Sequence, residues 1–237
     1  MHAFSTAQFV ILSLGWGAAC FFIYFLFLRS STIQSWFQLQ FGADTGRLRH
    51  AITAKLLGAL TMGLGTLWFS YELFGRLFDE MLGLYWSDTG WPENILLLVL
   101  AGLMFFFSFR RRNSEELLIN YPETRLYRWN AGMMWTYLSA WLIYLIGYEI
   151  LFRGLLLIAL IPYLGIYWAL GLHVIIYILV HLHKNREELL GSAIFALGIG
   201  YFCAVTASIV PALFLHLIVS LSTNYFAITN RQLIDNG

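Results

Sequence analysis

Apolar residues fall into seven long runs, near positions 8–28, 53–75, 95–109, 131–161, 163–181, 190–207 and 211–228. Runs of about 17–25 apolar residues match the ~30 Å hydrocarbon core of a bilayer at ~1.5 Å per helical residue. Each run therefore predicts a membrane-spanning helix, and the expected fold is all-α: a polytopic membrane helical bundle of about seven transmembrane helices, forming one membrane domain over residues 1–237. The fourth run exceeds a perpendicular span and must tilt, kink or begin outside the hydrocarbon. The stretch STIQSWFQLQFGADTGRLRH, 31–50, is too polar to span and is expected on the cytoplasmic surface as an amphipathic piece.

The polar positions between the runs orient the bundle. Arg29, Arg47, Arg49 and Lys55 follow the first run; Arg110, Arg111, Arg112, Arg125 and Arg128 follow the third; Lys184 and Arg186 follow the fifth; Arg231 follows the seventh. Short cytoplasmic loops are enriched in Lys and Arg, so these loops are expected in the cytoplasm together with the C-terminus. The loop 76–94 sets Asp79, Glu80, Asp88 and Glu93 against Arg76 alone and is expected outside, with the N-terminus. The opening MHAFSTAQ lacks the positive region of a signal peptide, so the first run reads as an uncleaved helix. Trp36, Trp86, Trp91 and Trp129 flank the runs as expected headgroup anchors, and Ala196 and Gly200, four apart, suit close helix packing.

Composition narrows the function classes. Hydrophobic residues make up 59% of the chain and charged ones 11%, against roughly 25% charged in soluble domains, so the solvent is lipid. A formal net charge of +1 leaves no basic stripe, which removes nucleic acid as a partner. The bilayer of a cell membrane, here expected to be a bacterial inner membrane, is the first expected partner. Cys20 and Cys203 lie inside apolar runs without CxxC spacing and read as small packing residues.

Against that apolar background the ionisable residues stand out, because each costs a few kcal/mol in hydrocarbon unless it is paired or wetted. Glu149 and Arg153 are four apart in YEILFRG, hence on one helix face and able to form an ion pair. His181 closes the fifth run and His216 sits in the seventh, so three helices can bring one Glu, one Arg and two His together. Neutral imidazole and carboxylate are what a hydrolase needs to hold and deprotonate water or to polarise a carbonyl. They are also metal-ligand types, and a divalent metal, if held, would take His181, His216 and Glu149, although no HExxH motif is present. No other cofactor is expected. His173, near the middle of the fifth run, reads either as a polar contact between helices or as a further site residue.

YEILFRG, then YILVH, then a Gly-rich helix leading into ASIVPALFLH, resembles the CPBP family of CAAX proteases and bacteriocin-processing proteins, also called Abi. The family's EExxxR motif followed by Gly is matched by Tyr148, Glu149, Arg153 and Gly154. Its FxxxH motif is matched by Tyr177 and His181, and its last-helix His followed four later by Asn is matched by His216 and Ser220. The resembling core covers about 131–229. Two positions depart from the pattern: Tyr148 replaces the first Glu, which the resemblance implies is the base for water, and Ser220 replaces the Asn. The string HLHKNREELLGS is similar to a single-Glu branch with an HxxKxxxE pattern, matched by His181, Lys184, Glu188 and Gly191. Glu188 would then be a second carboxylate, or it merely opens a helix, where acidic residues are favoured.

The resemblance implies an intramembrane endopeptidase acting on a membrane-anchored protein or peptide, with Glu149, Arg153, His181, His216 and Glu188 as its candidate catalytic residues. Arg153 would balance the charge of Glu149, and the imidazoles would hold water or the oxyanion. The alternative is a catalytically inactive member acting as immunity factor or scaffold, with Tyr148 and Ser220 marking a lost site. A proton-coupled transporter is disfavoured by the absence of a two-half repeat. Helix rise raises a geometric problem, since a straight fourth helix starting near Ala131 would carry Glu149 far from His181.

Overall fold

The structure is a computed structural model and describes residues 5–74, 82–85, 90–113, 117, 121–124, 126 and 128–234. Arg76, Asp79, Glu80, Trp86, Asp88, Arg125 and the side chain of Arg231, used above for orientation and anchoring, lie outside the described residues.

The first helix, α1 (Thr6–Arg29), opens with a capping box: the Gln8 amide donates to the Ser5 hydroxyl, and the Ser5 amide donates to the Gln8 side chain at 2.9 Å. Helix α2 (Ser31–Phe41) is capped by Ser30 and buries none of its residues, as expected of a surface piece. The second span starts earlier than the apolar run suggests. Helix α3 (Ala43–Gly58) begins ten residues before position 53, continues through a π-helical segment (Ala59–Gly65) and ends as α4 (Thr66–Phe74). Its polar first turns are helical because they pack: Gly46 has no side chain where α2 crosses it, and a Cβ there would meet the Phe37 carbonyl and the Gln38 backbone.

Helix α5 (Trp91–Arg110) is followed by α6 (Ala131–Glu149), whose first turn is capped by the Asn130 side chain. The chain then runs through a π-helical segment (Ile150–Leu155), a 3-10 turn (Ile158–Leu160) and the short α7 (Ile161–Leu164). The remaining helices are α8 (Ile166–His181), α9 (Arg186–Thr206) and α10 (Val210–Ile234). Among the described residues there is no strand, six helical stretches are long and apolar enough to cross a membrane, and α8 is a shorter apolar helix. The seven apolar runs are therefore seven helical stretches of a polytopic bundle.

The stretch Ala131–Leu164 is the central post. In its most apolar window 83% of residues are buried, against 17–33% in the other spans. It comprises 34 residues, more than a perpendicular span needs, and the backbone leaves helical geometry at Leu156 and Leu157. It runs alongside α10, from the Tyr137 hydroxyl, which donates to Asn224 Oδ1 at 3.0 Å, to Glu149, which meets His216. Higher up it crosses the second span at Gly63 and Gly147, close enough that a Cβ on Gly147 would lie 3.0–3.1 Å from three backbone atoms.

Trp129 is not a headgroup anchor. It is buried against Tyr137, in a small cluster with Leu48, Leu126 and Ile228, and its indole N–H donates to the Thr124 carbonyl at 2.9 Å. Trp36 and Trp91 are exposed, as the anchor reading requires. Cys20 and Cys203 are free, buried thiols.

Candidate active site

Glu149 is the last residue of α6 and Arg153 lies in the π-helical segment that follows. A π segment widens the helix by one residue per turn and commonly occurs at functional sites. Glu149 at its border and Arg153 within it are both fully buried. Arg153 Nη1 donates to Glu149 Oε1 at 3.1 Å, and His216 Nδ1 from α10 meets the same oxygen at 2.5 Å. The other carboxylate oxygen, Oε2, is buried without a hydrogen-bond partner. The guanidinium is further held over the Tyr177 ring at 4.3 Å and faces Phe195 at 5.2 Å, which offsets part of its lost hydration.

The imidazoles are joined to this pair by aromatic rings. Tyr148 packs edge-on to His216, with ring centres 5.5 Å apart, and lies 6.0 Å from Tyr177. Tyr177 stacks on His181 at 4.6 Å, and His181 Nδ1 hydrogen-bonds to the Tyr177 carbonyl at 2.8 Å. His181 and His216 are near enough to interact electrostatically. Three helices thus bring Glu149, Arg153, His181 and His216 around one aromatic-lined site. His173 is fully buried beside Tyr177 and Gly200, with neither ring nitrogen hydrogen-bonded. Gly200 and buried Ala196 leave room for α8, as their spacing suggested.

Glu188 stands apart from these groups in its described contacts. It occupies the first turn of α9, its amide bonded to the Asn185 cap and its carboxylate paired with Lys184 at 3.4 Å. Nearby, burial foremost and then the cations Lys184 and Arg29 push His183 down to about 4. Among the described residues no group of three or more His, Cys, Asp or Glu side chains is arranged to hold a metal.

Residues 130–222 match the family model described as Rce1-like, type II CAAX prenyl endopeptidase Rce1-like. That segment is similar to the family. This agrees with the CPBP resemblance carried by the three motifs. No curated protein and no solved structure matches the chain. Within the Rce1-like segment lie Glu149, Arg153, His173, His181, Glu188 and His216, while α1 to α5 fall outside it.

Sequence reasoning missed two buried polar residues of the bundle. Lys55 was read as a loop cation, but α3 starts early enough to carry it into the interior. Its ammonium is buried 2.8 Å from the Tyr24 hydroxyl and over the rings of Trp141, 3.5 Å, and Tyr144, 4.5 Å. Asn224, one turn beyond Ser220, is buried, and its amide donates to the Ser220 carbonyl at 2.8 Å. The only signal for Lys55 was a cation four residues after an apolar position, flanked by Ala and Leu, in a segment otherwise polar enough to look like a loop.

A lateral cleft of about 500 Å³ opens between α1 and α8, lined by Leu14, Phe21, Phe152, Leu156, Ile176 and His183 among others. Phe152 stacks on Tyr148 at 4.2 Å, so one wall of the cleft is the outer shell of the site.

Proposed function

We propose that the chain is a membrane endopeptidase of the CPBP type that processes a membrane-associated protein or peptide. The observation that carries this reading is the Glu149 carboxylate. One oxygen is clasped by Arg153 and His216, and the other is buried and unpartnered, positioned to accept a proton from water. Arg153 balances the carboxylate charge and fixes its orientation, and His216 presents an imidazole beside the attacking water. His181 lines the same site across Tyr177 and is available to the carbonyl oxygen.

In the reaction, a water proton passes to Glu149 as the water oxygen bonds to the scissile carbonyl carbon. The tetrahedral intermediate then collapses with cleavage of the C–N bond, and the proton leaves Glu149 for the departing amine. Glu188, paired with Lys184 at a helix start, takes no part in these steps.

The test is processing of co-expressed membrane substrates, bearing a prenylated tail, a leader or a C-terminal sorting tail, at matched protein levels. Wild type should cleave one class, whereas Glu149→Gln and His216→Ala should fold and fail to cleave it. Equal cleavage by both variants defeats the site assignment. If no class is cut by wild type, the inactive reading, an immunity factor or scaffold, takes its place; Tyr148 in the family's first Glu position is the observation that favours it.

A further inference from the structure

The family pattern places two carboxylates side by side, and this chain has a phenol in the first position. Tyr148 is almost wholly buried, and its hydroxyl makes no hydrogen bond. An unpaired buried hydroxyl is costly, because the hydration it loses on burial is not replaced. The ring itself stacks face to face on Phe152 at 4.2 Å, a contact that phenylalanine would make equally well. Packing alone therefore does not account for the hydroxyl.

Its surroundings are those of the reaction. Tyr148 adjoins Glu149 in the chain and meets the His216 ring edge-on. A second phenol accompanies it, since the aromatic position of the FxxxH motif is filled by Tyr177. The Tyr177 ring carries the Arg153 guanidinium at 4.3 Å, and its centre lies 6.0 Å from that of Tyr148. Two phenols and a guanidinium thus gather beside Glu149. A second carboxylate there would repel Glu149 in a dry site. A phenol is neutral and, unlike an ionised carboxylate, donates a hydrogen bond.

We propose that Tyr148 is a catalytic residue whose phenolic O–H donates a hydrogen bond to the oxyanion of the tetrahedral intermediate, with Tyr177 and Arg153 supporting it from behind. The inference rests on the endopeptidase reading. When water adds to the scissile carbonyl, the π electrons move onto the carbonyl oxygen and a proton of the water goes to Glu149. The negative oxygen then accepts the Tyr148 hydrogen bond until the C–N bond breaks and the amine leaves with the proton from Glu149. No net proton is taken from Tyr148.

The experiment compares wild type, Tyr148→Phe and Glu149→Gln in proteoliposomes, using quenched-fluorescence membrane peptides that carry a prenylated tail, a leader or a sorting tail. Loss of one preorganised donor typically lowers kcat by about 10²–10³, so Tyr148→Phe should lose about that factor in kcat with KM nearly unchanged. Because the hydroxyl is unpaired in the resting fold, the unfolding midpoint of Tyr148→Phe should stay level or rise. Unchanged kcat in Tyr148→Phe, with Glu149→Gln inactive, overturns the inference and leaves the endopeptidase reading standing. A kcat loss matched by a fall in the unfolding midpoint also overturns it, since that marks a structural hydroxyl. If wild type cleaves none of the peptides, the endopeptidase reading fails and this inference falls with it.

Discussion

Substituting Gly147 tests the packing that holds the site. A Cβ at Gly147 would lie 3.0 Å from the Gly63 amide nitrogen and 3.1 Å from the Cα atoms of Gly63 and Ala59. All three are backbone atoms of the π segment in the second span, so no side-chain rotation relieves them, and each must retreat by about 0.3–0.4 Å to reach ordinary contact. Overpacking of this kind costs about 1–3 kcal/mol. Helix propensity works the other way, favouring Ala over Gly by about 0.8–1 kcal/mol. Gly171 on α8 supplies the control: it is exposed, a Cβ there meets nothing within 4 Å, and Ala brings the same propensity gain. Gly147→Ala should therefore fall below Gly171→Ala by about 1–3 kcal/mol in a denaturant titration of the purified protein in one detergent. It should also reduce processing, because Gly147 is two residues from Glu149. Equal stability of the two variants would refute the close crossing.

Arg153→Ala leaves Glu149 buried with only His216 and should lower stability by ~3–5 kcal/mol, whereas the double change Arg153→Met with Glu149→Gln should restore much of the folded yield. A double variant no better than Arg153→Ala would show that the ion pair is not the source. Lys55→Met keeps the bulk inside the Tyr24, Trp141 and Tyr144 cage and removes the ammonium; its stability should stay within about 1 kcal/mol of wild type, because desolvation offsets most of what the rings return. Lys55→Glu should fail to fold, and equal damage from both would defeat that balance. Cysteines introduced at the exposed Gly90 and Asn113 should label from opposite faces, with 113 cytoplasmic, over a low background because Cys20 and Cys203 are buried. Labelling from one face would remove the charge-based orientation. His183 is pushed down to about 4 in the fold from an ordinary 6.5, so the unfolded chain takes up its proton first. Stability present at pH 7 should fall as pH drops from about 6.5 toward 4, and His183→Gln should flatten that slope; an unchanged slope would exclude His183 as its source.

The spans were legible because lipid imposes its own length on every helix, and the apolar runs reported that length directly. Glu149 and Arg153 were legible for the complementary reason: a charge inside such a run has few tolerable explanations. Helix starts were less so. The first turns of α3 are polar and resemble a loop, yet Gly46 lets them pack on α2, and that close approach is a property of two chains of backbone rather than of local hydropathy. Lys55 was misread with them. Trp129 was misread because an amphipathic ring before an apolar run suits both an interface and a core, and only the Thr124 carbonyl and the Tyr137 ring decide between the two. The grouping of His216 with Glu149 followed from motif order. The ring contacts Tyr148–His216 and Tyr177–His181, by contrast, depend on how three helices rotate about their axes, which no one-dimensional pattern records.

The burial of the central post bears on how the protein is made. Synthesis delivers α1 to α5 first, then the stretch Ala131–Leu164, and only afterwards α8 to α10. For that interval Glu149 has Arg153 but lacks His216, and Arg153 lacks the Tyr177 and Phe195 rings that later enclose it. The nascent chain thus carries a charged pair whose enclosure has yet to be translated, and it depends on the earlier helices and on the insertion machinery to shelter that pair. Nascent chains arrested near residue 165 should remain bound to the insertion machinery, and those extended past residue 230 should release into lipid.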